Sequence, residues 1–575
     1  MRGMVALLVA CCVAVVSAAL MGWLAHGLNP VWAQLALLLG AVAGWAAWRR
    51  TGPFEPAPRP KGWAEWGVLV FFALFALRLF CWVAFYRDDE IACLTPNNLG
   101  DLSLHLTFIR YLANGVPFWP ENPIHAGHAL QYPVGVDLFN ALLVMSGVDI
   151  LRGLVWAGLV GSVLTAMALW RWGGAFAVAG FLFNGGFAAW RIIQTGEFYE
   201  FQDAVAWKSI PIAMFVTQRG FLYALPVGLL LLWSWRNRFL LQRRGLPAEI
   251  ELLFYATLPL FHLHTFLFLS GMLAFWYLST AWKNGAPRGS RGPILRLVLC
   301  ALLPASWLVW LLTEGFQSQS MIHFRLGWMQ RGHFFFRFWG ENFGVLPLCV
   351  IALILWVARR LERPRPSDPA PAIVRMEAAL VFPAVLWFAL CCFVMFAAWE
   401  WDNTKIMIWS YLVILPPLWA MLRQWRRGWR VTTVILLFFS GFLTVCGGMR
   451  GTGYRVSTRS ELDFLRKPLR QIPMKATFAC VPTYNHPLLL LGRKVVSGYE
   501  GHLISHGFDI SRSREALRSL LLGRPGWQDR ARELGAEYLF WGTLEQREYG
   551  TWPPAATREP VLRTPRGDVY RLLDE

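Results

Sequence analysis

The chain is 575 residues long, 56% hydrophobic and 15% charged, with a mean hydropathy of +0.42. A soluble globular chain is about half apolar and about a quarter charged, so an ordinary soluble architecture is excluded for most of the length. The net charge of +19 would suit nucleic acid in a soluble protein. Here the bases sit in short loops between apolar runs, at Arg49-Arg50 to Lys61, Arg236 to Arg244, Arg359 to Arg365 and Arg423 to Arg430. That is how cytoplasmic loops of membrane proteins retain Lys and Arg, and nucleic acid is not an expected partner.

The first apolar run follows Met1-Arg2 and continues past the signal-like Val16-Ser17-Ala18 to Ala25, so an uncleaved first span is expected. Apolar runs then predict spans at 4–26, 31–48, 63–86, 153–171, 173–189, 220–235, 250–263, 265–282, 295–313, 344–358, 374–398, 405–422 and 431–448. That makes about thirteen, give or take two, since several are shorter than the roughly 20 residues that cross a bilayer. An odd count starting in the cytoplasm puts the C-terminus outside and every strongly basic loop inside. The predicted fold class is an α-helical polytopic membrane protein with a small α/β C-terminal domain. Its boundaries are a transmembrane domain at 1–449 with a large outer loop at 87–152, and a soluble domain at 450–575.

Outer-side segments fall at 87–152, 190–219 and 314–343, longer than connections that merely join elements. In the tail, strands are expected at Thr477–Val481 and Tyr538–Trp541, with helices at Ser513–Leu522 and Trp527–Leu534. The ten cysteines contain no CxxC pair, and most lie in apolar runs as small hydrophobes. Cys93 and Cys480 alone lie in polar segments on the expected outer side, where an oxidising compartment would permit a disulfide.

Four constellations carry polar chemistry. The first is Tyr86-Arg87-Asp88-Asp89-Glu90 followed by Gly100-Asp101-Leu102-Ser103-Leu104-His105. Asp101 and His105 are four apart and share one helix face. The plainer reading makes Asp101 the N-cap of a helix running to about Asn114, and 88–90 a solvated face. The second is Trp399-Glu400-Trp401-Asp402-Asn403-Thr404-Lys405 at a span mouth, where opposite charges among tryptophans are costly unless used. Its plainer reading is an aromatic belt with a structural Asp–Lys pair. The third is His262-Leu263-His264 at the break of the 250–282 run, a polar cavity lining rather than a metal site, since no further ligand spacing supports metal. The fourth is Gln218-Arg219, with Arg325, Arg331 and Arg337 further on; planar guanidinium forks suit phosphate, though a lone Arg at a span end more often snorkels.

These outer-side motifs resemble those of GT-C class glycosyltransferases, polytopic enzymes that take sugars from polyprenyl-phosphate carriers. Gly100-Asp101-x-x-x-His105 is similar to the dolichyl-phosphate-glucose-dependent branch, and Asp88-Asp89-Glu90 to the Asp-Glu pair of protein O-mannosyltransferases. Trp401 to Lys405 and several tail motifs (Asn485-His486-Pro487, Gly492-Arg493, Gly498-Tyr499-Glu500-Gly501, Ser505-His506-Gly507, Tyr538, Glu545-Gln546-Arg547) resemble bacterial membrane proteins grouped with this class. The resemblance departs from the family in offering two candidate acids.

What it implies is an inverting transfer from a lipid-linked sugar to an acceptor hydroxyl on a glycan, lipid or protein, at the outer face of a bacterial inner membrane. The N-terminus would be cytoplasmic and the tail periplasmic. Asp101 would be the base, assisted by His105, with Asp88 or Asp89 as second choice. Lys405 and Arg219 would stabilise phosphate charge, and Gln218, His262, His264, Asp402 and Asn403 would line the donor site. No nucleotide-sugar fingerprint is present. Members of the class differ in needing a divalent metal, so the metal is left open and no other cofactor is expected. The competing reading is a transporter or flippase of a lipid-linked sugar or polar solute, against which stands the lack of an inverted repeat. A non-catalytic assembly partner of a cell-envelope complex is a third.

Overall fold

The computed structural model describes residues 1–54, 57–96, 98–192, 196, 205–316, 321–364, 366, 368–451, 453–552, 554 and 558–573. Among the described residues, eight helices are long and apolar enough to cross a membrane, or nine if one bent pair counts as a single span. The chain opens as an antiparallel helical hairpin, Arg2–Leu24 and Pro30–Arg50. Asn29 caps the second helix by accepting from the Trp32 N–H at 3.0 Å, and Pro30 sits where a helix's first N–H needs no partner. The two pack with small residues at the seam: a Cβ on Gly44 would stand 2.7 Å from the Ala6 carbonyl oxygen. Only glycine permits that approach in lipid, where close backbone packing is a main source of helix association.

Helices Trp63–Phe80, Arg291–Leu312, Pro371–Leu390, Thr404–Leu422 and Arg427–Arg450 lie within the expected spans or overlap them closely. The spans expected at 153–171 and 173–189 are two arms of one stretch, Ile150–Leu182, kinked at Gly173 and Gly174. Gly174 adopts φ +64°, a conformation costly for any residue with a Cβ. The second arm stops at Leu182, short of the predicted end. The 250–282 run breaks where two histidines predicted it, into Ala248–Phe261 and Leu263–Ser279. His262 makes the break extended, and its Nδ1 accepts the Thr265 N–H at 3.1 Å to cap the next helix. Phe335–Phe343 and Leu346–Glu362 meet at 83°. Phe221–Trp235, Ala248–Phe261 and Leu263–Ser279 are shorter than a straight bilayer crossing requires, so the predicted count exceeds the helices that meet that length.

Residues in or flanking the basic loops make contacts between them. Arg50 pairs with Glu249 at 3.5 Å, and Trp356 donates to the Gln424 Oε1 at 3.1 Å. At the other end, a hairpin of Phe85–Arg87 and Glu90–Cys93 carries a third antiparallel strand, Tyr454–Thr458, from the start of the tail. The tail continues into a five-stranded sheet in the order Lys494–Val495, Thr477–Ala479, Tyr538–Gly542, Gly567–Arg571, Leu562–Thr564. Its first three strands are parallel and the last two antiparallel, with Phe478 opposite Tyr538 and Val569 opposite Phe540. Helices Ser511–Leu521 and Trp527–Glu533 form where amphipathic periodicity predicts them.

The edge of this sheet lies against the outer loop. Val495 N–H donates to the Pro123 carbonyl at 2.9 Å, Gly498 N–H to the Ile124 carbonyl at 2.8 Å, and Lys494 pairs with Glu121. Cys93 and Cys480 are both buried and free rather than joined.

Candidate functional site

A cavity of about 1090 Å³ opens where the outer loop, the span mouths and the tail converge. One wall is the helix Leu99–Ala113, which lies in the outer loop and is buried along most of its length. Asp101 is on that wall, half-buried. It is not the helix cap: Asn98 holds that position, and Asp101 stands in the first turn, where a carboxylate suits the helix's positive end. Burial pushes the Asp101 carboxyl above its ordinary range, opposed by the charges of His105 and Lys405 and assisted by Asp402. A carboxylate kept from full solvation is a stronger base, the property that proton abstraction requires.

His105 is one turn further on, as the four-residue spacing predicts, but off the cavity wall. Its Nδ1 lies 3.0 and 2.9 Å from the two carboxylate oxygens of Asp137, and its Nε2 lies 3.2 Å from the Thr217 carbonyl. Both ring nitrogens face acceptors. His105 is thus a buried partner of Asp137 behind Asp101, not a group that reaches substrate.

The opposite wall comes from the mouth of Thr404–Leu422 and the turn Glu400–Asn403 before it. Asp402 and Lys405 pair at 3.2 Å across one helical turn, and both line the cavity. Asn403 does not. It is fully buried, accepts the Phe396 N–H at 2.8 Å and donates to the carbonyls of Cys391 and Val394 at 2.9 and 2.8 Å. Three hydrogen bonds pin the turn that aims its neighbours. Glu400 is tied to Arg325 and Arg331, each at 3.0 Å, which takes those two arginines out of the cavity. Arg337 does reach it, beside Glu341 at 3.1 Å.

Gln218 lines the cavity, whereas Arg219 is buried behind it with no hydrogen bond to its guanidinium among the described residues. Arg219 stands in the field of Asp137 and Asp101 rather than at an open phosphate grip. His262 and His264 line a second cavity of about 90 Å³ that shares Gln218, Asp402 and Lys405 with the first, so the two are adjacent. Asp88 and Asp89 lie elsewhere, at the exposed tip of the hairpin. Asp88 holds a left-handed turn at φ +52°. Asp89 accepts from the Ser460 N–H at 2.9 Å and its hydroxyl at 2.5 Å, fastening the tip to the tail. The structure brings Asp101, Gln218, His262, His264, Asp402 and Lys405 together, and sets Asp88, Asp89, His105, Arg219 and Asn403 apart from the cavity surface.

Other cavity residues carry no local signal. Lys208 lies 5.9 Å from the Trp401 ring centroid and has no ion-pair partner among the described residues. The tail contributes Tyr499, His502 and His506 from around the helix Glu500–Ser505, within two motifs visible in the sequence whose place at the site was not. Burial holds His502 down at about 4 and His506 at about 3, so both are neutral at neutral pH.

Among the described residues no three His, Cys, Asp or Glu side chains could hold a metal ion. Asp402 and Glu341 are each paired with a cation, Lys405 at 3.2 Å and Arg337 at 3.1 Å, and no step below runs through a metal.

No family model matches the chain, and no curated protein matches it. The chain is similar to the apo oligosaccharyltransferase of Archaeoglobus fulgidus at 12% identity and TM-score 0.48, over 88% of this chain and 75% of that one. The oligosaccharyltransferase AglB of Archaeoglobus fulgidus, in complex with an inhibitory peptide and a dolichol-phosphate, is similar at 12% identity and TM-score 0.41, over 88% and 74%. The Archaeoglobus fulgidus enzyme in complex with Zn and sulfate is similar at 12% identity and TM-score 0.46, over 83% and 68%.

Proposed function

We propose that the chain is a membrane glycosyltransferase that moves a sugar from a polyprenyl-phosphate carrier to an acceptor hydroxyl at the outer face of the membrane. The observation that carries this reading is a half-buried carboxylate without a cation partner among the described residues, Asp101, in a cavity that also presents Lys405, Lys208 and Gln218. Asp101 takes the proton of the acceptor hydroxyl as its oxygen attacks the anomeric carbon. The bond from that carbon to the phosphate oxygen breaks on the far side, its electron pair leaves with the lipid phosphate, and the configuration inverts. Lys405 and Lys208 offset the charge that grows on the phosphate, in a site where partial exclusion of water strengthens the effect.

The remaining residues position these groups. Asp402 fixes Lys405 through their ion pair, and Asn403 fixes the turn that carries Asp402. His105, held by Asp137, packs one helical turn behind the base. Gln218, His262 and His264 offer polar groups to the sugar at the inner end. Support for the orientation comes from the placement of Lys and Arg in the loops Arg49 to Lys61, Arg236 to Arg244, Arg359 to Arg365 and Arg423 to Arg430, which fits a bacterial inner membrane with a cytoplasmic N-terminus and a periplasmic tail.

The test is release of polyprenyl phosphate by the purified protein from a panel of polyprenyl-phosphate sugars, with and without acceptor. Release that depends on Asp101 supports the reading; no release from any donor, in protein that binds polyprenyl phosphate, overturns it.

A further inference from the structure

A third cavity of about 180 Å³ lies on the side of the hairpin Phe85–Cys93 and shares no lining residue with the two above. Three arginines converge on it. Arg110 comes from the last turn of the helix that carries Asp101 in its first, and Arg459 and Arg466 from the two ends of the tail helix Arg459–Arg466. Two acids face them, and both are engaged. Asp149 accepts the Tyr86 hydroxyl at 3.1 Å and the N–H groups of Leu151 and Arg152 at 3.0 and 3.1 Å, capping the long helix Ile150–Leu182. Asp463 pairs with Arg466 at 3.1 Å. Arg459 stacks 4.5 Å over the Tyr86 ring.

Neither Arg110 nor Arg459 has an ion-pair partner among the described residues. Arg110 is half-buried beside a like charge, and burial together with Arg466 holds its guanidinium below the ordinary range. Three guanidinium groups face two carboxylates there, and Asp149 and Tyr86 only partly oppose the effect of burial and Arg466 on Arg110, so an anion seated among them would offset the remaining positive charge. Guanidinium forks match the oxygens of a phosphate ester in geometry as well as charge.

The depth of the cavity narrows the ligand. Its wall includes Ile150 and Leu151, the first residues of a helix long and apolar enough to cross a membrane. A group held there sits at the level of lipid headgroups. From the arginine convergence and this depth we propose that the cavity binds a phosphate ester, presented by the headgroup of an anionic lipid of the outer leaflet or by a soluble phosphorylated compound. Its outer-leaflet placement rests on the orientation proposed above, but not on the transferase chemistry, because neither its residues nor its test involves the catalytic cavity.

The experiment measures binding to the purified full-length protein in neutral detergent, by native mass spectrometry and by titration. The probes are short-chain phosphatidylglycerol, short-chain phosphatidylcholine and glycerol 3-phosphate. Phosphatidylglycerol should bind best, and Arg110→Gln with Arg466→Gln should weaken it about ten-fold, a conservative share of what two charge-assisted hydrogen bonds contribute. Arg455→Gln, a change on the neighbouring strand, should leave it unchanged. Glycerol 3-phosphate binding as tightly as the lipid, and lost in the same double variant, would assign the site to a soluble ester. Equal binding of phosphatidylcholine and phosphatidylglycerol, equal loss in Arg455→Gln, or no loss in the double variant would each overturn the proposal. Arg110→Lys keeps the charge but not the fork; an intermediate affinity at unchanged melting temperature separates recognition from folding.

Discussion

Replacing Asp101 by Asn exchanges a carboxylate for an amide of nearly the same volume, in the first turn of a helix whose cap is another residue. Two small effects on stability oppose each other. The carboxylate's interaction with the helix terminus, about 0.3–1 kcal/mol at most, is lost. Against this, burial raises the Asp101 pKa in the folded state, so its ionised form disfavours folding at neutral pH, and removing that charge stabilises. The melting temperature should therefore hold or rise slightly. Turnover should fall about 100- to 10,000-fold, the range for a positioned acid or base, or roughly 2.7–5.4 kcal/mol on the barrier. The assay is polyprenyl-phosphate release alongside thermal unfolding of the same preparation, with Asp89→Asn as control. Asp89 fastens the hairpin tip to the tail, so its variant should lose some stability and keep its turnover per folded molecule. Turnover within about two-fold of wild type in Asp101→Asn would refute the assignment of the base. Residual activity in the wild type should fall at acid pH with an apparent pKa above the ordinary carboxylate range.

Lys405→Met leaves Asp402 without its cation and should weaken competition by polyprenyl phosphate about thirty- to several thousand-fold, equivalent to about 2–5 kcal/mol; unchanged competition in folded protein would reduce the pair to a structural one. His502 and His506 are held at about 4 and about 3, below the value of about 6.5 for an unfolded histidine. The unfolded chain therefore binds protons first as pH falls, and melting temperature should drop between about pH 6.5 and 4 by more in the wild type than in His502→Gln with His506→Gln. Reporter fusions at Gly52 and Gly245 should read cytoplasmic and one at Gly451 periplasmic, and a cytoplasmic reading at Gly451 would invert the site's placement.

What the sequence made legible was whatever local spacing encodes. Asp402 and Lys405 are three apart at the start of a helix, and they pair as that geometry requires. Asp101 and His105 share a face for the same reason. His105's role was hidden because its partner, Asp137, comes from another helix with no pattern linking the two. The acidic run 88–90 drew attention as charge density, yet a tight hairpin turn and a link to the tail account for its two aspartates. Lys208 sits in an unpatterned outer segment, and His502 and His506 reach the cavity only through the tail's fold. Hydropathy located the apolar runs but could not divide them, because Gly173-Gly174 and His262 bend or break helices inside continuous apolar sequence.

The strand that brings the tail to the outer hairpin has a consequence for timing. Cys93 and Tyr454, which touch across that sheet, are 361 residues apart in the chain. At synthesis rates of about 5–20 residues per second, the first partner waits roughly twenty to seventy seconds for the second. During that interval the helix bearing Asp101 faces a half-built cavity, open on the side that Tyr499, His502 and His506 will close. A nascent chain is therefore expected to be inactive until its last hundred residues have been made, and truncation before Tyr499 should disable the base by removing the tail's share of the cavity wall.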